Sequence, residues 1–186
     1  MIKKKLGRLM VLMGVLSAPM LSGQAADSSI SAKVHESKFF LPFPIRREGE
    51  VVDVLVKVDK TNRAYGFYLV LVEDLSWPIE RKEALRRIQN GWVGGDEGTL
   101  PYPFKLRLRI EPLDKKNSTN IDLIVKERSP AFSQYVNHDK EIWRAQKLYL
   151  GGLPEGIYRV RLENLVAVPH IDFGTLFVFE KDTRKF

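Results

Sequence analysis

The sequence predicts an all-β protein, an antiparallel two-layer sandwich of seven or eight strands interrupted by one short helix. Three observations carry this. Apolar and polar residues alternate at period two from Ile30 to the C-terminus. Two runs, Tyr65 to Val72 and Phe173 to Phe179, are apolar on both faces. Helical spacing dominates only one stretch, around residues 78–90. Alternation puts one face on a core and the other in water, the pattern of antiparallel sheets.

The elements follow in chain order. Lys3, Lys4, Lys5 and Arg8 form a basic head, Leu9 to Leu21 an apolar stretch, and Gly23-Gln24-Ala25 a small-x-small site before Ala26. That layout is a secretory signal peptide over residues 1–25, leaving a single domain over 26–186. Its apolar stretch, broken by Pro19, is short of the roughly 20 residues a membrane-spanning helix needs. The chain has no cysteine, so an acylated cysteine at the cleavage point is excluded, as are disulfides and thiolate metal sites. No stable membrane anchor is expected after cleavage.

Ile30-Ala32-Val34 and Val52-Val54-Val56-Val58 alternate with polar or outward residues. Between them, Phe39 to Ile45 is a dense apolar run broken by Pro42 and Pro44, which places it at a sheet edge or crossing between sheets. The doubly apolar Tyr65 to Val72 reads as a central or doubly covered strand. The helix comes next, with Ser76 as cap, Pro78 in the first turn and Asn90-Gly91 as its stop. Leu85, Ile88 and Trp92 share one side of it.

Phe104 to Ile110 and Ile121 to Val125 alternate around a polar hairpin loop, Glu111 to Asn120. A second helical turn is expected after Ser129-Pro130, burying Phe132, Tyr135 and Val136. Strands over Arg144 to Leu150, Tyr158 to Leu162 and Phe173 to Glu180 complete the set.

Charge narrows the partner. The chain has 30 Lys and Arg against 23 Asp and Glu, a net +7. Four of those cations lie in the leader, so the rest carries +3, an ordinary value that gives nucleic-acid binding little support.

Leu148 to Val160 reads strand, tight turn, then a strand entered through Gly156-Ile157-Tyr158. This stretch resembles the tyrosine corner of immunoglobulin-like sandwiches, where a tyrosine packs inward and ties its hydroxyl to upstream backbone. The resemblance implies Tyr158 in that role and the last strand paired beside it. With the leader, the chain resembles the small exported immunoglobulin-like β-sandwich proteins of Gram-negative bacteria. Some members of that class act as periplasmic immunity proteins against secreted toxins. The resemblance supplies no catalytic residues.

Candidate sites are few. Lys105, Arg107 and Arg109 stand on one strand face about 7 Å apart, and Arg159 and Arg161 do likewise on another. If those strands are neighbours, the five cations form a binding surface for an acidic partner, with Asp53, Asp122 and Glu163 as counter-charges. Trp92, Trp143 and Tyr102 are candidate stacking rings for a glycan or small ligand. His138, Asp139 and Glu141 are the best candidates for a base or metal site, and Asp96 and Glu97 for a cation loop. Neither set has the spacing such chemistry requires, and no hydrolase, zinc-protease or phosphate-loop motif occurs. The expectation is a periplasmic or secreted, non-enzymatic domain without cofactor or metal that recognises another protein, as an inhibitor or toxin-immunity partner. The alternative is a glycan- or small-ligand-binding module of the cell envelope.

Overall fold

The computed structural model describes residues 33–36, 38–59, 63–91, 100–114, 119–129, 132–134 and 140–185. The leader and the residues around Trp92, Asp96, Glu97, Tyr135, Val136, His138 and Asp139 lie outside them. The described chain is mostly β, with ten strands and one helix. In order these are β1 (Val34–His35), β2 (Phe39–Pro42), β3 (Val51–Val58), β4 (Arg63–Asp74), α1 (Ile79–Asn90), β5 (Leu106–Pro112), β6 (Ile121–Val125), β7 (Phe132–Gln134), β8 (Glu141–Gly152), β9 (Gly156–Asn164) and β10 (Thr175–Lys185).

Two five-stranded sheets form, in the orders β1-β3-β9-β5-β6 and β2-β10-β4-β8-β7. The inner face of the first contributes Val54, Val56, Val58, Leu106, Leu108, Ile110, Tyr158, Val160 and Leu162, all buried. The second answers with Phe39, Tyr65, Phe67, Leu69, Leu71, Phe177 and Phe179 in the same core. Each fully buried side chain of this kind stabilises the sandwich by about 1.5–3 kcal/mol.

Four sequence expectations need correction. The last strand does not pair beside the strand that carries Tyr158: β10 lies between β2 and β4, whereas β9 lies between β3 and β5. Residues 165–174 carry the chain from one sheet to the other, and Phe43 and Val72 hold the end of that connection through hydrogen bonds to the carbonyls of Thr175 and Gly174. The strand count exceeds eight because the proline-broken run supplies an edge strand of its own, β2, and a very short strand, β7, joins the opposite edge of the same sheet.

The helical turn expected after Ser129-Pro130 is instead strand β7, paired antiparallel with β8. A three-residue segment takes its conformation from an available sheet edge more readily than from helical spacing. Finally, Ser76 does not cap α1. Its amide and hydroxyl both donate to Asp74 Oδ1 at 2.7 Å in a local turn that ends before the helix begins. Pro78 occupies the N-cap position with no side-chain cap. At the other end Gly91 is left-handed (φ 85°) and its amide donates to Arg87 O, as the Asn90-Gly91 stop predicts.

The two sheets differ on their outer faces. That of the second sheet is apolar and covered: Tyr68, Val70, Trp143, Ala145 and Val178 form a separate buried cluster. That of the first sheet is charged and open.

Candidate functional site

The outer face of the first sheet is built row by row from strand register. In one row Asp53 of β3 faces Arg161 of β9, Arg161 faces Arg109 of β5, and Arg109 faces Asp122 of β6. On one side lies the row Leu55, Arg159, Glu111. On the other lies Val51, Glu163, Arg107, Ile124. Period-two alternation forces this, because Val160, Leu162, Leu108 and Ile110 must face the core.

The structure therefore brings Arg107, Arg109, Arg159 and Arg161 together on two neighbouring strands. Lys105 is exposed one step before β5. Trp92, the sixth residue of the candidate surface, lies outside the described residues.

Acidic neighbours fix two of the four arginines. Arg159 grips Asp53 in a fork, Nε to Oδ1 at 2.9 Å and Nη2 to Oδ2 at 2.6 Å. Arg107 grips Asp122 in the same way, at 2.8 and 2.6 Å. Such bidentate pairs add directional strength to an ion pair. The hydrogen bond from Arg107 holds the Asp122 carboxyl below its ordinary range, with the charges of Arg107 and Arg109 adding to the effect.

Arg109 and Arg161 are held loosely. Arg109 Nε is 3.9 Å from Asp122, and Arg161 approaches Asp53 at 3.9 Å and Glu163 at 4.0 Å, all beyond hydrogen-bond reach. Between Arg109, Glu111, Arg159 and Arg161 is a small polar cleft of about 90 Å³.

The two candidate stacking rings among the described residues, Trp143 and Tyr102, are not displayed for a ligand. Trp143 is buried, with its ring edge-on to Phe40 at 4.9 Å and its indole N–H donating to Glu141 Oε2. Tyr102 is half-buried and its hydroxyl donates to Gln146 Oε1 at 2.7 Å. Burial pushes the Tyr102 hydroxyl well above its ordinary pKa. Of the histidines, His35 packs on Phe39 at 4.1 Å between centroids. Burial, then the charge of Lys33, lowers its pKa. His170 is exposed. Among the described residues no three His, Asp or Glu side chains gather to hold a metal, and no helix is long and apolar enough to cross a membrane.

Sequence reading missed a buried polar network under α1. Glu73, fully buried at the end of β4, accepts from Arg144 Nε and from Arg86 Nη2 at 3.0 Å. Arg144 also donates to Gln89 Oε1, and Gln146 donates to the Gln89 carbonyl. Burial raises the Glu73 pKa, but hydrogen bonds and charge from the two arginines outweigh it and leave the carboxyl below its ordinary value. This network seats the helix. Arg128 braces the same region from outside, donating to the carbonyls of Ile88, Leu100 and Pro101.

A second concavity of about 380 Å³ lies at one end of the sandwich, between Pro42, Pro44, Arg46 and Phe173. It is mostly apolar, and Arg46 Nε bonds the Ile171 carbonyl across it at 2.7 Å.

Comparison with known proteins gives a fold relationship. No family model matches the chain, and no curated protein does. A crystal structure of a protein from Sulfurospirillum deleyianum is similar, with a TM-score of 0.50 and 16% identity over 79% of this chain and 98% of that one. At that identity the likeness concerns the path of the backbone.

Proposed function

We propose that the chain is an exported periplasmic binding domain, not an enzyme, that recognises another protein through the outer face of the first sheet, as an inhibitor or toxin-immunity partner. One observation carries the reading: four arginines stand on two adjacent strands, interleaved with four carboxylates, on an open face. Outward charge here is spread in a nearly balanced pattern over three rows of the sheet, with one small cleft among the arginines. A polyanion or lipid phosphate favours unbroken positive charge, and Asp53, Glu111, Asp122 and Glu163 interrupt it. A protein surface of complementary mixed charge suits the pattern, and arginine is the cation enriched at such interfaces.

Export rests on the leader, and N-terminal sequencing of the periplasmic protein is expected to begin at Ala26. The immunoglobulin-like kinship rests on the Tyr158 corner, whose hydroxyl donates to Pro154 O at 2.8 Å.

The test is affinity capture from periplasmic extract at physiological salt, with the Arg159→Glu/Arg161→Glu variant as comparison. The wild type is expected to retain a discrete protein that the variant loses. Equal retention by both, or none by the wild type, counts against the reading.

A further inference from the structure

The central row of the charged face reads acid, base, base, acid: Asp53, Arg161, Arg109, Asp122. Like charges directly opposite one another across two strands destabilise a sheet. The two flanking acids are placed to relieve the strain, yet both turn away. Asp53 accepts the fork of Arg159 and Asp122 accepts the fork of Arg107, each one row off. Arg109 and Arg161 are left facing each other with no carboxylate among the described residues closer than 3.9 Å. Arg161 Nε is shielded from solvent and has no hydrogen-bond partner. Both guanidiniums are partly exposed and held by long ion pairs alone, which leaves their donors open to a shorter bond from an incoming anion.

We infer that Arg109 and Arg161 form a receptor for one carboxylate, an Asp or Glu side chain of the protein partner, seated in the cleft they share with Glu111 and Arg159. The inference rests on the protein-recognition reading and names the chemistry of its anchor. Size and charge select the occupant. The cleft of about 90 Å³ takes one small oxyanion. The carboxylates around the three guanidiniums, Asp53, Glu111, Asp122 and Glu163, leave no excess positive charge to balance a phosphate or sulfate dianion, which favours a monoanion. Guanidinium forks suit the planar carboxylate, to which they offer paired donors.

The arrangement trades stability for binding. Removing one cation from the opposed pair relieves repulsion in the free domain and removes half the receptor. Arg161→Gln is therefore expected to raise Tm while weakening partner binding at least tenfold.

Two measurements test this. In the first, the arginine Nε–Hε NMR signals of the full domain are followed during titration with sodium acetate, with sodium sulfate as a second arm, at constant ionic strength. Saturable shifts at Arg161 and Arg109, at least threefold larger than at the already paired Arg107, are expected with acetate. No saturable shift, or tighter binding of sulfate, overturns the proposal. In the second, the captured partner is titrated against wild type and Arg161→Gln, and unchanged affinity overturns the anchor while leaving protein recognition intact. If acetate saturates the site but the wild type captures no protein, the protein-recognition reading falls, and with it the assignment of the carboxylate to a partner.

Discussion

Glu73 shows how a single buried side chain sets the local energetics. It is fully buried, and its carboxylate neutralises the guanidinium of Arg144, whose side chain is also largely enclosed. Glu73→Ala takes the carboxylate away from that largely buried cation, and is expected to cost about 3–5 kcal/mol in urea unfolding. Replacing Glu73 and Arg144 together with leucine should recover part of this loss, because it removes the desolvation cost of both charges but leaves Arg86 without its carboxylate. Tyr158 makes a smaller, local contribution. Tyr158→Phe keeps the ring in the core but deprives the Pro154 carbonyl of its donor, for an expected loss of about 1 kcal/mol by thermal melt. Tyr158 was legible because Gly-x-Tyr after a tight turn is a local signal. Glu73 was not. In Trp143-Arg144-Ala145-Gln146 the alternation favours an inward tryptophan, yet Arg144 and Gln146 take the inner face beside Leu71 and Leu69, where Gln89 of α1 meets them. Only the position of the helix makes those polar residues interior, and spacing along one strand carries no information about it.

The elements were read most reliably where burial was extreme. The run Tyr65 to Val72 is buried on both faces except at Val72, as its two-sided apolarity requires, because a core lies on one side and the Trp143 cluster on the other. The helix end was also written in the sequence. Gly91→Ala places a Cβ in left-handed backbone and is expected to cost about 1–2 kcal/mol, read as a lowered Tm. The helix start was misread, because α1 begins at Ile79 with Pro78 at its N-cap, two residues beyond Ser76, which lies in a turn closed by Asp74. Short segments fared worst. At β7, sheet-edge pairing overrides a helical motif of a few residues, and β1 pairs parallel with β3 through two residues only. Partner choice between strands was the largest gap, since β9 and β10 are consecutive but belong to opposite sheets. Hydrophobic rhythm specifies which face a strand buries and leaves open which neighbour it meets.

At the scale of the whole molecule, the sandwich joins a covered apolar face to an open charged one, and its carboxylates couple folding to pH. Asp59 is lowered from 3.8 to about 2 by the Lys181 and Tyr65 hydrogen bonds, and Glu73, Asp74 and Asp122 are lowered as well. Groups with depressed folded-state pKa values stabilise the fold above their unfolded values and lose that contribution as pH falls through the folded ones. Stability is therefore expected to be flat from neutrality to about pH 5 and to fall steeply between about 4 and 2, measured by circular dichroism against urea at stepped pH. The arginine cluster was foreseen as a possibility conditional on strand adjacency, and the register of β5 against β9 meets that condition. Which acid grips which arginine was beyond the sequence, because diagonal and direct partners compete at nearly equal distance. The account turns on that face meeting a protein, and site-specific photo-cross-linking in the periplasm tests it most directly. A photoreactive residue at Ile124, exposed and facing outward beside Arg107, is compared with one at Leu75, exposed at the end of the second sheet's β4. A discrete protein adduct from position 124 and none from 75 is predicted, and no adduct from 124, or equal adducts from both, contradicts the account.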